Sequence, residues 1–365
     1  MLIAWILALL AGTLVFPGTT RAAERFVADP RLTVDCESAI LKGSGTFVQQ
    51  KLKLLDKCTA GVFKCIQTTP PDDDAEVDPV DVCLEKMAEK CAKTVEAITA
   101  AEQAFTDAIT KGCSALDPLE VLRADAVGYE LIAQQCSDLG TDLTDLASVA
   151  QCIVQEHECA AERLFQAEQP RAGELLGLVD ADLGPDSCLE DFGAGGFGVD
   201  DVALGKQLDR CDAGVRKVGI GFTGKKLKSL GKCVGDLYAC DQLAFGNAEC
   251  VAKARKTCDK AFGTIAGEAL KVEPGVGKSC DAVDFNQALP DEGLGFTELV
   301  DECDVLGVSD IVTIDHYKTC LYRQHECIGD ELMQFAAPRA AELLMGIDRA
   351  LPGSFFCPTE DDEGL

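Results

Sequence analysis

The chain has 365 residues, room for two ordinary domains, and sets 62 Asp and Glu against 33 Lys and Arg for a formal net charge of −29. That balance argues against nucleic acid, whose phosphates need a basic surface, and against adhesion to anionic lipid. With 20 cysteines but no C-x-x-C motif, the chain also lacks the signatures of zinc ribbons, thioredoxin-type redox pairs and haem attachment.

The first element is an apolar run from Leu2 to Phe16, short for a membrane span and suited to the core of a signal peptide. Thr20 and Ala22 supply the small residues that a signal peptidase needs, so cleavage is expected after Ala22, with Ala23 as the alternative. Residues 1–22 are then a leader, and the mature protein is secreted or periplasmic, without membrane contact. Every cysteine lies beyond this segment, and an exported chain with an even cysteine count reads as a disulfide framework with no free thiol.

From Cys36 to Cys113 six cysteines form a palindrome. Cys58 follows Cys36 by 22 positions and Cys113 follows Cys91 by 22, while Cys58–Cys65 and Cys83–Cys91 are close pairs inside them. Apolar residues and cysteines recur at steps of three, four and seven in both arms, the period of an amphipathic helix. Two antiparallel helices would bring the cysteines together as nested rungs, Cys36–Cys113, Cys58–Cys91 and Cys65–Cys83. Gly43 and Gly45 are expected to loosen or kink the first arm. Pro118 to about Cys136 reads as one further helix, and Gly140-Thr141-Asp142 as a break and N-cap for another through Gln166. Pro170 should interrupt that helix, and Arg171 to Leu178 resume it. Cys136, Cys152, Cys159 and Cys188 remain for two bonds. Their pairing is open, with Cys136–Cys152 and Cys159–Cys188 preferred because those loops do not cross.

The same device then returns. Ten cysteines from Cys36 to Cys188 map in order onto Cys211, Cys233, Cys240, Cys250, Cys258, Cys280, Cys303, Cys320, Cys327 and Cys357. The offset is 175 for the first three and 167 to 169 for the rest, so the one large length change falls at the hairpin tip, where a solvated loop tolerates it. Lys51-Leu52-Lys53 parallels Lys226-Leu227-Lys228, His157-Glu158-Cys159 parallels His325-Glu326-Cys327, and Pro170-Arg171 parallels Pro338-Arg339. The chain therefore reads as a tandem duplication, and rungs Cys211–Cys280, Cys233–Cys258 and Cys240–Cys250 are expected. Gly219, Gly221 and Gly224 should loosen the second copy's first arm, and Pro274 should end its return arm early, leaving Cys280 on a loop. The fold expected is all-α, with two disulfide-stapled units at residues 23–191 and 199–365, each a nested hairpin plus a second helical pair. Residues 192–198, rich in glycine, would be a flexible linker. Each unit carries its own ten cysteines and should fold alone.

Motifs with chemistry are few. Gly193 to Gly198 matches G-x-G-x-x-G but lacks the strand that a dinucleotide site needs. Gly275-Val276-Gly277-Lys278-Ser279 lacks the first glycine of a P-loop, since Val272 stands there. Asp72, Asp73, Asp74, Glu76 and Asp78 make an acidic tip without the glycine of an EF-hand loop. Arg171 with Glu174, and Arg339 with Glu342, have the spacing of local ion pairs. His157 and Glu158, with Glu156, and their counterparts His325 and Glu326 are the candidates for a metal or acid–base site. Neighbouring residues diverge by about 100° on a helix, however, so each pair is a poor chelate. A buried imidazole bonded to a backbone carbonyl is the simpler role. No Ser-His-Asp or Cys-His arrangement is present, because cysteines beside histidine should be oxidised.

The repeated ten-cysteine pattern, with its Lys-Leu-Lys and His-Glu-Cys runs, resembles exported cysteine-rich helical repeat proteins of environmental bacteria. The resemblance covers about Val34 to Cys357. It implies a stapled all-α fold and export, and it brings no activity or site residues. The function expected is a non-enzymatic exported scaffold or binding protein that needs no cofactor. Its partner, a protein or a small molecule, would take the groove between the units. The alternative is a small-molecule or metal carrier built around His157 and His325.

Overall fold

The computed structural model describes residues 29–70, 77–192 and 195–357. The proposed leader and Asp72 to Glu76 of the acidic tip lie outside these residues, as do Gly193 and Ala194 of the glycine run. Among the described residues there are twelve α-helices, two short 3-10 turns and no strand.

Two long hairpins dominate. Helix α1 (Pro30–Thr68) is capped by the Asp29 carboxylate on Arg31 N, with proline in its first turn. Helix α2 (Pro79–Cys113) uses the same Asp-Pro start, so Asp78 serves as its N-cap. Bonds Cys36–Cys113, Cys58–Cys91 and Cys65–Cys83 join the two, with Cα atoms 4.4, 5.0 and 5.7 Å apart. Short helices α3 (Pro118–Leu122) and α4 (Ala133–Asp138) follow, then α5 (Leu146–Glu168) and α6 (Ala172–Gly177). The second hairpin pairs α7 (Val202–Leu243) with α8 (Ala248–Cys280) through Cys211–Cys280, Cys233–Cys258 and Cys240–Cys250. After it come α9 (Phe285–Ala288), α10 (Val300–Val305), α11 (Ile314–Ala336) and α12 (Ala340–Met345). The remaining bonds are Cys136–Cys152, Cys159–Cys188, Cys303–Cys320 and Cys327–Cys357.

Several local expectations need correction. The glycines do not interrupt α1 or α7, which run unbroken. They permit close approach instead: a Cβ at Gly43 would come 2.7 Å from the Phe105 ring of α2. Pro274 does not end α8. It stands exposed, as does Leu270 one turn earlier, so water can take the place of the lost hydrogen bond while Val272 and Val276 stay buried. Cys280 is thus the last residue of the helix. The span from Pro118 to Cys136 is not one helix, because Gly128 takes the left-handed region (φ 100°) and turns the chain between α3 and α4. Helix α5 is capped by Asp145 in a reciprocal pair with Ser148, not by Asp142.

Helices α1 and α7 pack against each other antiparallel. Leu227 lies beside Gly45, Gln49 beside Gly224, and Leu41 beside Gly231 and Gly235. Helices α5 and α11 cover the long hairpins, and the buried apolar side chains form one continuous cluster across residues 36–351. The described part of the connector is docked and not free: Gly196 N donates to Glu174, and Phe197 O accepts from Arg171.

Candidate functional site

Each His-Glu-Cys run sends its three side chains to three different places. On α5, His157 is fully buried, with Nδ1 2.7 Å from Ile153 O one turn back. That contact fixes the proton on Nδ1, so Nε2 accepts from the Ser44 hydroxyl of α1 at 2.6 Å. Burial pushes the imidazole down to about 4, against the raising effect of the bond to Ile153. His325 repeats this on α11, with Nδ1 2.8 Å from Leu321 O, and is also held near 4, chiefly by burial. Its Nε2 meets the Glu168 carboxyl at 2.9 Å. The space for that carboxyl exists because residue 219 is glycine, where a Cβ would come 2.2 Å from Glu168 Oε1. Burial raises the Glu168 carboxyl well above the usual range, so a neutral acid donates to a neutral imidazole. Neither histidine lines the groove described below, and among the described residues no cluster of His, Cys, Asp and Glu is arranged to hold a metal ion.

The glutamates face buried lysines whose role the sequence did not disclose. Lys226 of α7 is fully buried, and its Nζ contacts the Glu326 carboxylate and backbone carbonyl, with Asp330 Oδ1 at 2.8 Å. Asp330 in turn accepts from Gly353 N, which ties the last segment down beside Cys327–Cys357. In the first half Lys51 meets Glu162 at 2.8 Å and Glu158 at 3.8 Å, while Glu162 accepts from Ser187 and Cys188 N. Glu156 pairs instead with Arg163 at 3.2 Å. These groups anchor chain segments around disulfides. The identical Lys-Leu-Lys runs were the available signal, since their first lysine falls on the buried stripe of the helix.

The two prolyl-arginine pairs reach further than a local ion pair. Arg171 binds Glu174 at 2.8 Å and donates to the carbonyls of Glu292 and Gly293 in the other half. Arg339 binds Glu342 and Asp241 and donates to the carbonyl of Asp125. Tyr129 OH donates to Phe335 O, and Tyr317 OH to Ala167 O. Each half thus holds the other's turns.

A groove with a cavity volume of about 1350 Å³ runs between α1 and α7, and only these two helices line it. Six exposed lysines flank it: Lys42, Lys53, Lys217, Lys225, Lys228 and Lys232. Among the described residues none has a carboxylate within 4.0 Å. The acids of the lining are Glu37, Asp56 and Asp236. Asp56 is engaged by Arg216, which also holds the buried Asp212 at 2.8 Å. Glu37 is 1 % exposed, and neither of its carboxyl oxygens has a hydrogen-bond partner. Burial pushes it up to about 8 although Arg339 opposes this, so it is a neutral acid at pH 7.

No protein-family model, curated protein or solved structure matches the chain. The geometry is therefore the sole guide to function.

Proposed function

We propose that this protein is an exported binding protein, without an enzymatic role, whose ligand occupies the groove between α1 and α7. The supporting observation is the concentration of six lysines, without an ion-pair partner among the described residues, around a ligand-sized groove in a chain of net charge −29. Ten disulfides favour an oxidising compartment, secreted or periplasmic, and each typically adds about 2–4 kcal/mol of resistance to unfolding. The duplicated cysteine pattern explains the groove's origin: two copies of one long helix face each other antiparallel across it. The apolar run at Leu2–Phe16 serves as the leader. Buried histidines whose two ring nitrogens are both already engaged favour this reading over a carrier built around His157 and His325.

Gly221 provides the test. It is exposed on the groove, and a Cβ there meets nothing within 4 Å, so Gly221→Trp projects into the middle of the groove without a clash in the core. Native mass spectrometry of the protein purified from its own host should show a bound mass that Gly221→Trp lacks, at an unchanged melting temperature. A wild-type protein without bound mass, or one whose bound mass survives Gly221→Trp, overturns the assignment.

A further inference from the structure

We infer that the groove takes an elongated dianion with an apolar body, one acidic group gripped near each end. This rests on the reading of the groove as the binding site and adds the ligand's chemical class. Because α1 and α7 run antiparallel with Leu227 beside Gly45 and Arg216 on Asp56, the lysines fall into two groups. Lys42 is level with Lys228 and Lys232, with Lys225 just inward of these three, whereas Lys53 is level with Lys217. Lys42 and Lys53 are 11 positions apart on one helix, which at 1.5 Å per residue separates the groups by about 16 Å.

Between the groups the lining changes character. Ile220, Gly221 and Gly224 carry no polar side-chain atom, and Gln49 is uncharged. A slender hydrocarbon suits that stretch, and charge would find no partner in it. At the first group Glu37 adds an unpartnered, buried carboxyl to the groove wall. As a neutral acid it does not repel an anionic oxygen there. The rest of the surface repels anions, so the lysine groups are where a dianion gains most. A ligand held at one end presents its second acid to the other group at high effective concentration, which multiplies affinity with no further contact.

Tetradecanedioate, whose extended chain matches the span between the groups, is the probe, with tetradecanoate, hexanedioate and tetradecanediol beside it in calorimetry on the full mature protein. Tetradecanedioate should bind about 100-fold more tightly than tetradecanoate, and hexanedioate and the diol more weakly than either. Replacing Lys42, Lys225, Lys228 and Lys232 together by alanine should bring the dianion down to the monoanion's affinity. All four are exposed, so the fold is not at stake. Equal binding of tetradecanoate and tetradecanedioate, or of the diol, overturns the inference and leaves the groove in place as a site. Binding that survives Gly221→Trp overturns the groove itself. If no probe binds, the dianion is excluded, and native mass spectrometry alone decides the groove.

Discussion

Lys226→Met is the sharpest probe of the buried charges. The methionine keeps most of the side chain's volume while removing an ammonium with no solvent contact. Two carboxylates lose their cation: Glu326, left with the Tyr322 hydroxyl at 3.1 Å, and Asp330, left with Gly353 N at 2.6 Å. Breaking a buried pair from one side costs about 3–5 kcal/mol. The stranded carboxyl can limit the loss by taking up a proton, which costs about 4 kcal/mol at pH 7 and about 1.4 kcal/mol at pH 5 for a group that normally titrates near 4. Urea unfolding followed by far-UV dichroism, with disulfides intact, should therefore show a loss of about 3–5 kcal/mol at pH 7 and roughly half that or less at pH 5. Lys51→Met is the internal comparison. Glu162 keeps its bonds from Ser187 and Cys188 N, and the Glu158 side chain is 26 % exposed, so the cost should be about 1–2 kcal/mol. A loss under about 1 kcal/mol for Lys226→Met, or one equal at the two pH values, would refute the reasoning.

Two further outcomes follow from the same structure. Glu37 holds its proton to about 8 when folded, against an ordinary value of 4.5, and faces Arg339, Tyr129 and Tyr238. The folded state thus binds the extra proton between these values, and stability falls as pH rises through that window, by at most about 1.4 kcal/mol per pH unit. Glu37→Gln should flatten this slope and be more stable than wild type at pH 8; a variant with the wild-type slope would show that Glu37 is ionised in the fold. Although each half carries its own ten cysteines and reads in sequence as a unit that folds alone, separately expressed halves, residues 23–191 and 199–365, should unfold without cooperativity, because Arg171, Arg339, Tyr129 and Tyr317 each bond backbone in the other half. A cooperative transition in either half alone would show that these clamps are dispensable.

Much of the helical framework was legible because cysteine spacing carries distance information directly. Equal 22-residue outer arms placed Cys58 opposite Cys91, and their Cα atoms are 5.0 Å apart. What escaped was whatever depends on contact between distant helices. A glycine inside a helix reads as a weak point, yet Gly219 is empty because Glu168 and His325 fill the space beside it. A proline reads as a stop, and Pro274 is not one, since its side of α8 faces water. The His-Glu-Cys runs drew notice as chemistry, and in the fold their histidines bond backbone carbonyls while their glutamates face buried lysines. The groove lysines looked like the solvated faces of two helices. Only the antiparallel contact of α1 with α7 collects them into two groups.

Amine-reactive labelling of the protein as isolated from its host, read by mass spectrometry, tests the groove most directly. Exposed lysines outside the groove, such as Lys86, Lys90, Lys253 and Lys260, serve as references. The six groove lysines should label slowly in the isolated protein and rise to the reference rate once the ligand is stripped by denaturation and refolding with disulfides intact. Equal labelling of groove and reference lysines, before and after stripping, would contradict the account.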